Sequence, residues 1–361
     1  MYDTFGLGVA KNLCLLTLIV IKARTVTLWK LKDYVGAELE NTDVQSSSHY
    51  RRLTRFMNDC SGNLALMNAI GQLCFRTLRG LKFTHLLLDG TSWQRGDTKY
   101  HYMVLSVVVG SVAVPIYWKQ LSKIGASNQE ERIELMKEAM DRFDLSNITL
   151  LADREYIGKD WFKFLKTNNI DFVIRLKFCD FYLAVDQKNG RTYQEMYDRC
   201  KKPGKMDYKQ IELDGKSYYL SMINNPKKDA KEKVIIFITI KRPSKIMLRQ
   251  YTKRWRIECL FHHLKTNGFN LEDINLADAA KNNLMMAIVS LAYALTIKAG
   301  WKKRKSVRSI KYKDGTSYPA ESVFRMGLSE VLNYCRNFMV FLTYLKSAFL
   351  GREHTIWKNV Q

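Results

Sequence analysis

The spacing of apolar residues changes near Gly80 and splits the chain into a helical part and a strand-bearing part. Upstream, SSSHYRRLTRFM opens with serines suited to capping a helix, then sets Arg51, Arg52 and Arg55 on neighbouring turns. NLALMNAIGQLCFRTLRG follows, with apolar positions near helical spacing and Gly80 as its stop. Downstream, LKFTHLLLDGTSW reads as a strand ending near Asp89, and YHYMVLSVVVG and SVAVPIYW as two more. The short joins between them, QRGD and a Gly-Ser step, predict an antiparallel meander. Strands that are apolar on both faces need cover on both sides of the sheet.

The period then alternates. SNQEERIELMKEAMDRF predicts a helix with a capping box made by Ser127 and Glu130 and an apolar stripe of Ile133, Met136, Met140 and Phe143. NITLLAD is a short buried strand ending at Asp153, GKDWFKFLKTNN an amphipathic helix and IDFVIRLK a fifth strand. The order β-β-β-α-β-α-β predicts a meander followed by right-handed crossovers into parallel strands. From Phe178 to Pro243 the pattern is β-rich, with a hairpin at Asp214-Gly215 and the strand VIIFITI, and reads as an inserted subdomain. Long helical patterns close the chain on either side of KKRKSVRSIKYK, a basic run without an acid.

Composition narrows the partner. The chain has 361 residues, 47% of them hydrophobic and 12% aromatic, which describes a folded globular protein. Its 58 Lys and Arg exceed its 35 Asp and Glu by 23. A folded body so basic predicts a polyanion whose phosphates it neutralises, with binding that weakens steeply in salt. An anionic membrane is the competing surface. The run LCLLTLIVI, Leu13 to Ile21, is short of the roughly 20 residues a spanning helix needs and is followed directly by KAR. It is expected as a buried helix of an N-terminal bundle, with no membrane partner. Seven cysteines without a CxxC pair argue against a disulfide framework and a zinc site, and for a reducing compartment, the cytoplasm. The arginines after Ser48 fit DNA binding and fit a solvated charged face equally well.

Three acids stand out. Asp89 and Asp153 each end an apolar strand, and in this strand order the first and fourth strands lie side by side and parallel. Two close carboxylates repel unless a cation lies between them, so the pair suggests divalent metal; taken singly, each is equally well a strand-ending turn residue. The third lies in QYTKRWRIECLFHHLK, where one carboxylate, Glu258, sits among basic residues. At about 100° per residue, Tyr251, Arg254, Glu258 and Lys265 fall within an arc of about 60°. Such a face is a poor core stripe and a good surface for phosphate, with Arg254 as bidentate clamp, Lys265 as point charge and Tyr251 as hydroxyl donor. Lys253 and Arg256 are further candidate DNA contacts on the same stretch. The bland alternative is an Arg254–Glu258 pair on a solvated face, worth only tenths of a kcal/mol.

The spacing Y-(2)-R-(3)-E-(6)-K resembles the signature of insertion-sequence-4 type DDE transposases, the cut-and-paste enzymes of bacterial mobile elements. LLLDGTSW and LLADREY resemble that family's two Asp motifs, in the expected order, and the likeness covers about residues 40–300. It implies an α/β, RNase H-like catalytic core, a mixed five-stranded sheet with flanking helices, interrupted by a β-rich insert before the Glu helix. Helical regions flank it at both ends. The expected divisions are 1–80 for a DNA-binding region, 81–177 and 244–310 for the two parts of the core, 178–243 for the insert, and 311–361 for a helical region with a candidate dimer contact. Asp89, Asp153 and Glu258 would be the catalytic, metal-binding triad for two Mg²⁺ or Mn²⁺ ions. Tyr251, Arg254 and Lys265 would hold the backbone of double-stranded DNA in a synaptic homodimer. Some members stack a Trp of the insert on a flipped base; residues 178–243 hold no Trp, though Tyr218 and Tyr219 are there, and Trp93 and Trp255 are expected to pack in the core.

Overall fold

A computed structural model describes residues 2–40, 43–78, 80–123, 125–145, 147–177, 190–227, 230–336 and 338–349. Four helices come first: α1 (Tyr2–Ala23), α2 (Leu28–Glu38), α3 (Ser46–Cys60) and α4 (Leu64–Thr77). Leu13 to Ile21 is almost wholly buried in α1, as a bundle helix should be. The apolar stretch is longer than nine residues, however; Phe5–Ala23 has the length and composition of a membrane-crossing segment. The serines heading α3 do not cap it. Gln45 takes the cap position, and the Ser46 hydroxyl is held by Lys32 at 2.9 Å and Asp33 at 3.3 Å.

The meander is β1 (Phe83–Arg95), β2 (Thr98–Val109) and β3 (Val112–Gln120), followed by α5 (Gln129–Met140), β4 (Thr149–Ala152), α6 (Lys159–Thr167) and β5 (Phe172–Leu176). β2 and β3 pair antiparallel to the meander's neighbours, whereas β4 lies parallel to β1 and β5 parallel to β4. The sheet order β3-β2-β1-β4-β5 is the RNase H-like α/β arrangement. Its leucine and valine runs are buried because helices cover it. The capping box of α5 is one residue later than expected: Asn128 accepts from Glu131 N, and Glu131 returns the bond. The Ser127 hydroxyl is already committed as acceptor for Arg132 Nε at 2.9 Å.

The start of the β-rich stretch, residues 178–189, lies outside the described residues. The rest contains a helix that the pattern did not show, α7 (Gly190–Cys200), and then β6 (Met206–Leu213), β7 (Lys216–Asn224) and β8 (Val234–Thr239). The Asp214-Gly215 turn joins β6 to β7, both residues having positive φ. These strands form no separate sheet. β8 pairs with β5, so one eight-stranded sheet runs β3-β2-β1-β4-β5-β8-β7-β6.

The chain returns to the core through α8 (Lys245–Gln250), a 3-10 turn at Tyr251–Arg254 and α9 (Trp255–Lys265). α10 (Ala279–Lys303) follows, then the small hairpin β9 (Ser309–Lys311) and β10 (Ser317–Pro319), then α11 (Val323–Tyr334) and α12 (Phe338–Phe349). α10 also has membrane-crossing length and composition, but 89% of its apolar window is buried among α1, α4, α11 and β3. The N-terminal and C-terminal helices thus share one helical layer organised on α10. Gly300 and Gly327 let α10 and α11 touch: a Cβ at Gly327 would lie 1.8 Å from Thr296 O.

Candidate active site

Hydrogen bonding sets the position of the two aspartates. The β1–β4 ladder ends at the pair Leu88 and Ala152, so Asp89 and Asp153 are the next residues on adjacent parallel strands. β1 does not end there, contrary to expectation, because β2 continues to pair with it as far as Arg95. What ends is β4, and the side of β1 facing it opens at Asp89. Each carboxylate accepts from the following amide, Asp89 Oδ1 from Gly90 N at 2.9 Å and Asp153 Oδ1 from Arg154 N at 2.8 Å.

α9 brings the third acid, and Arg254 ties the set together. Its Nη1 lies 3.2 Å from Asp89 Oδ2, and its Nη2 lies 2.5 Å from Glu258 Oε1 and 3.8 Å from Asp153 Oδ2. The simple helix-surface pair of the bland reading is therefore one arm of a three-acid cluster. Tyr251 points the same way, its hydroxyl 3.2 Å from Ala152 O and 3.3 Å from Asp153 Oδ1. Lys265 lies further along β1, donating to Ser92 O at 3.0 Å and pairing with Glu272 at 2.9 Å. Lys253 and Arg256 do not join the acids. Lys253 reaches His85 Nδ1 at 3.3 Å, and the buried Nη1 of Arg256 has no partner among the described residues.

Burial gives the cluster its electrostatics. Asp89 is pushed up to about 7 by desolvation, which outweighs the pull of Arg254; the charges of Asp153 and Glu155 add to the rise. Burial likewise raises the Tyr251 phenol, helped by the Asp153 charge, so it remains a proton donor. Burial opposes the charge of Arg254, but Tyr251, Asp153, Asp89 and Glu258 outweigh it and hold the guanidinium protonated. His85 falls to about 4 through burial and then the charge of Lys253.

The loop after β4 has a support that sequence reasoning missed. Arg132 on α5 is 4% exposed. It donates to Glu155 O at 2.8 Å, Ile157 O at 3.1 Å and Ser127 Oγ at 2.9 Å, and also to Ser127 O. Its guanidinium stacks over the Tyr156 ring, 5.1 Å from the centroid. No sequence signal marks it, since Arg132 sits in a helix full of charged residues. The aromatic expectations divide. Trp93 is buried against Tyr100 and Tyr102, whereas Trp255 is 62% exposed, on the side of α9 opposite its buried Ile257, Leu260, Phe261 and Leu264. Tyr218 is core, packed against Phe162 and Phe172, and only Tyr219 is partly exposed.

The donor set is carboxylate oxygen alone, two groups fixed by strands and one by a helix, which suits a hard divalent cation. Among the described residues no three acids, histidines or cysteines converge on one point; these three converge on a guanidinium. They fit a metal once Arg254 has another partner.

Residues 80–295 match the family model described as "Transposase DDE domain". A cryo-electron-microscopy structure of a piggyBac transposase synaptic complex with hairpin DNA is similar at 12% identity and a TM-score of 0.49, covering 96% of this chain and 73% of that one. No curated protein matches the sequence.

Proposed function

The chain belongs to the transposase DDE domain family, and from that premise we propose that it is a cut-and-paste DNA transposase of the insertion-sequence-4 type. One observation carries the reading: Asp89, Asp153 and Glu258, from two adjacent parallel strands and a following helix, surround a single guanidinium. Gathering three carboxylates on one largely buried cation leaves an excess of negative charge that is costly where it is desolvated, as at Asp89. A phosphoryl-transfer site needs that excess.

Asp89, Asp153 and Glu258 would hold the divalent ions that DDE transposases generally use, in this reading two Mg²⁺ or Mn²⁺. Bound there, such ions supply activation of a water or 3′-hydroxyl and stabilise the leaving oxygen. Arg254 exchanges the acids for a phosphate of the DNA backbone, which its fork can grip bidentately. Tyr251 keeps Asp153 in place through its hydroxyl and, as a neutral phenol, adds no charge to the cluster. Lys265 is available to a second phosphate when it leaves Glu272. Cleavage of the transposon end and joining of its 3′-hydroxyl to target DNA would take place in a synaptic pair of chains.

The test is Mg²⁺-dependent cleavage and strand transfer on the element's own terminal repeats, with wild type beside Glu258→Gln. Joined product from wild type alone, with DNA binding retained in the variant, is the expected outcome. Nicking without joining would make the chain a nuclease of this fold. Binding with neither reaction would leave a silent relative.

A further inference from the structure

The basic run after α10 has no role in the acid cluster, and its shape suggests one of its own. Of the twelve residues from Lys302 to Lys313, seven are Lys or Arg and none is acidic. The run leads into β9 and β10, whose pairs are Lys311 with Ser317, Ile310 with Tyr318 and Ser309 with Pro319. The turn is well made. Tyr312 N donates to Thr316 O at 2.8 Å, Gly315 takes φ +81°, and Asp314 accepts from Thr316 N at 2.9 Å and from Thr316 Oγ1 at 2.6 Å. The one acid of the hairpin is therefore engaged within its own turn.

Almost nothing packs on this ribbon. Between Arg308 and Ala320 every residue except Thr316 is exposed, with Tyr312 at 53% and Tyr318 at 58%. Those two rings contact each other edge-on, with centroids 5.8 Å apart. An isolated two-stranded hairpin is marginally stable in water, and this ring pair steadies the hairpin itself but is no part of the hydrophobic core. At the root, Lys303 pairs with Glu330 at 2.5 Å and Arg304 lies over the Trp301 ring at 3.9 Å, so both are structural. Lys302, Lys305, Arg308, Lys311 and Lys313 have no carboxylate partner among the described residues. A cationic ribbon with aromatic side chains and an anchored root matches one kind of partner well. A two-stranded ribbon fits the B-form major groove, and its unpaired cations meet phosphates on the flanking strands.

We propose that the β9–β10 ribbon is a second DNA-binding element, which grips the backbone of duplex DNA without regard to sequence and independently of the acid cluster. The proposal rests on DNA being the substrate. The ribbon would raise affinity for DNA flanking the reacting phosphate and leave the chemistry at Asp89, Asp153 and Glu258 unchanged.

The experiment measures binding of the full chain to a random-sequence 30-base-pair duplex by fluorescence anisotropy across a range of salt. Wild type is compared with Lys311→Gln/Lys313→Gln and with a variant that also carries Lys302→Gln, Lys305→Gln and Arg308→Gln. At about 0.9 in the log–log salt slope per phosphate contact, the double variant should lose about 1.8 and the quintuple variant about 4.5. Unfolding midpoints should stay at the wild-type value, since none of the five side chains has an acid partner. Wild-type slope in both variants would overturn the proposal while leaving the transposase reading standing. No binding of wild type to any duplex would overturn both. Loss of binding to anionic phospholipid vesicles, with duplex binding intact, would transfer the ribbon to a membrane surface and refute it.

Discussion

Replacing Asp89 by Asn should make the DNA-free, metal-free protein more stable at pH 8, although it should abolish Mg²⁺-dependent cleavage. The folded protein holds the Asp89 proton to about 7, whereas the ordinary value is 3.8. Between those values the folded state binds more protons than the unfolded state, so stability falls as pH rises through this window. The separation is about 3 pH units, and at about 1.4 kcal/mol each it sets a ceiling of about 4 kcal/mol. The Asp89 side chain keeps 16% of its exposure and lies 3.2 Å from Arg254. Water and local relaxation around it reduce the expected gain to about 2 kcal/mol. Asn has nearly the same shape and cannot ionise, so it removes the penalty without opening a cavity. The assay is urea unfolding of both proteins at pH 5 and pH 8 in chelator, then with added Mg²⁺. Wild type should lose stability relative to the variant on going from pH 5 to pH 8. Added Mg²⁺ should stabilise wild type more than the variant, since the ion binds the charged carboxylate. A variant less stable than wild type at pH 8, with the gap unchanged at pH 5, would mean that Asp89 is not a strained acid and would refute the reasoning.

Two further substitutions probe the frame around the site. Arg132→Ala leaves the part-buried carbonyls of Ser127, Glu155 and Ile157 without their donor. It should cost about 3–4 kcal/mol in urea unfolding, with Arg132→Lys recovering only part because one ammonium cannot span all three; a loss under about 1 kcal/mol would show that the loop after β4 is held by something else. Gly327→Ala places a methyl 1.8 Å from Thr296 O and must part α10 from α11, at about 2–3 kcal/mol in the same assay. A neutral result there would mean that the two helices can slide without loss.

The fold was legible wherever one period dominated a segment. The leucines of β1 and β4 and the valines of β2 could be read as two-sided strands because burial on both faces leaves no polar alternation, and the order of helices between them dictated parallel pairing. The β-rich stretch was legible as strands and illegible as architecture. Nothing in VIIFITI says whether its edge meets β5 or only β7, since one run of apolar residues serves both ladders. α7 was hidden among polar residues, and β9 and β10, three residues each, carry too few positions to display a period.

At the site, types and spacing revealed more than direction. Tyr251, Arg254, Glu258 and Lys265 do face the open edge of β1 and β4, although the helix assumed for them is broken by a 3-10 turn over the first two. A turn of three residues advances the chain faster than 3.6 per turn, so the phase of everything after it cannot be read from an ideal helical wheel. Trp255, the first residue past that turn, was expected to pack and is exposed instead, because it lies on the opposite side of α9 from the buried Ile257, Leu260, Phe261 and Leu264. The role of Arg254 in the absence of DNA was likewise out of reach of spacing alone. A 3,4-type neighbour relation predicts its bond to Glu258, but its contacts with Asp89 and Asp153 come from residues 165 and 101 positions away in the chain. The three acids could be proposed as a set because their repulsion demands a cation. That the cation is a side chain of the protein, placed where a phosphate can draw it away, follows only from seeing β4 stop one residue before Asp153.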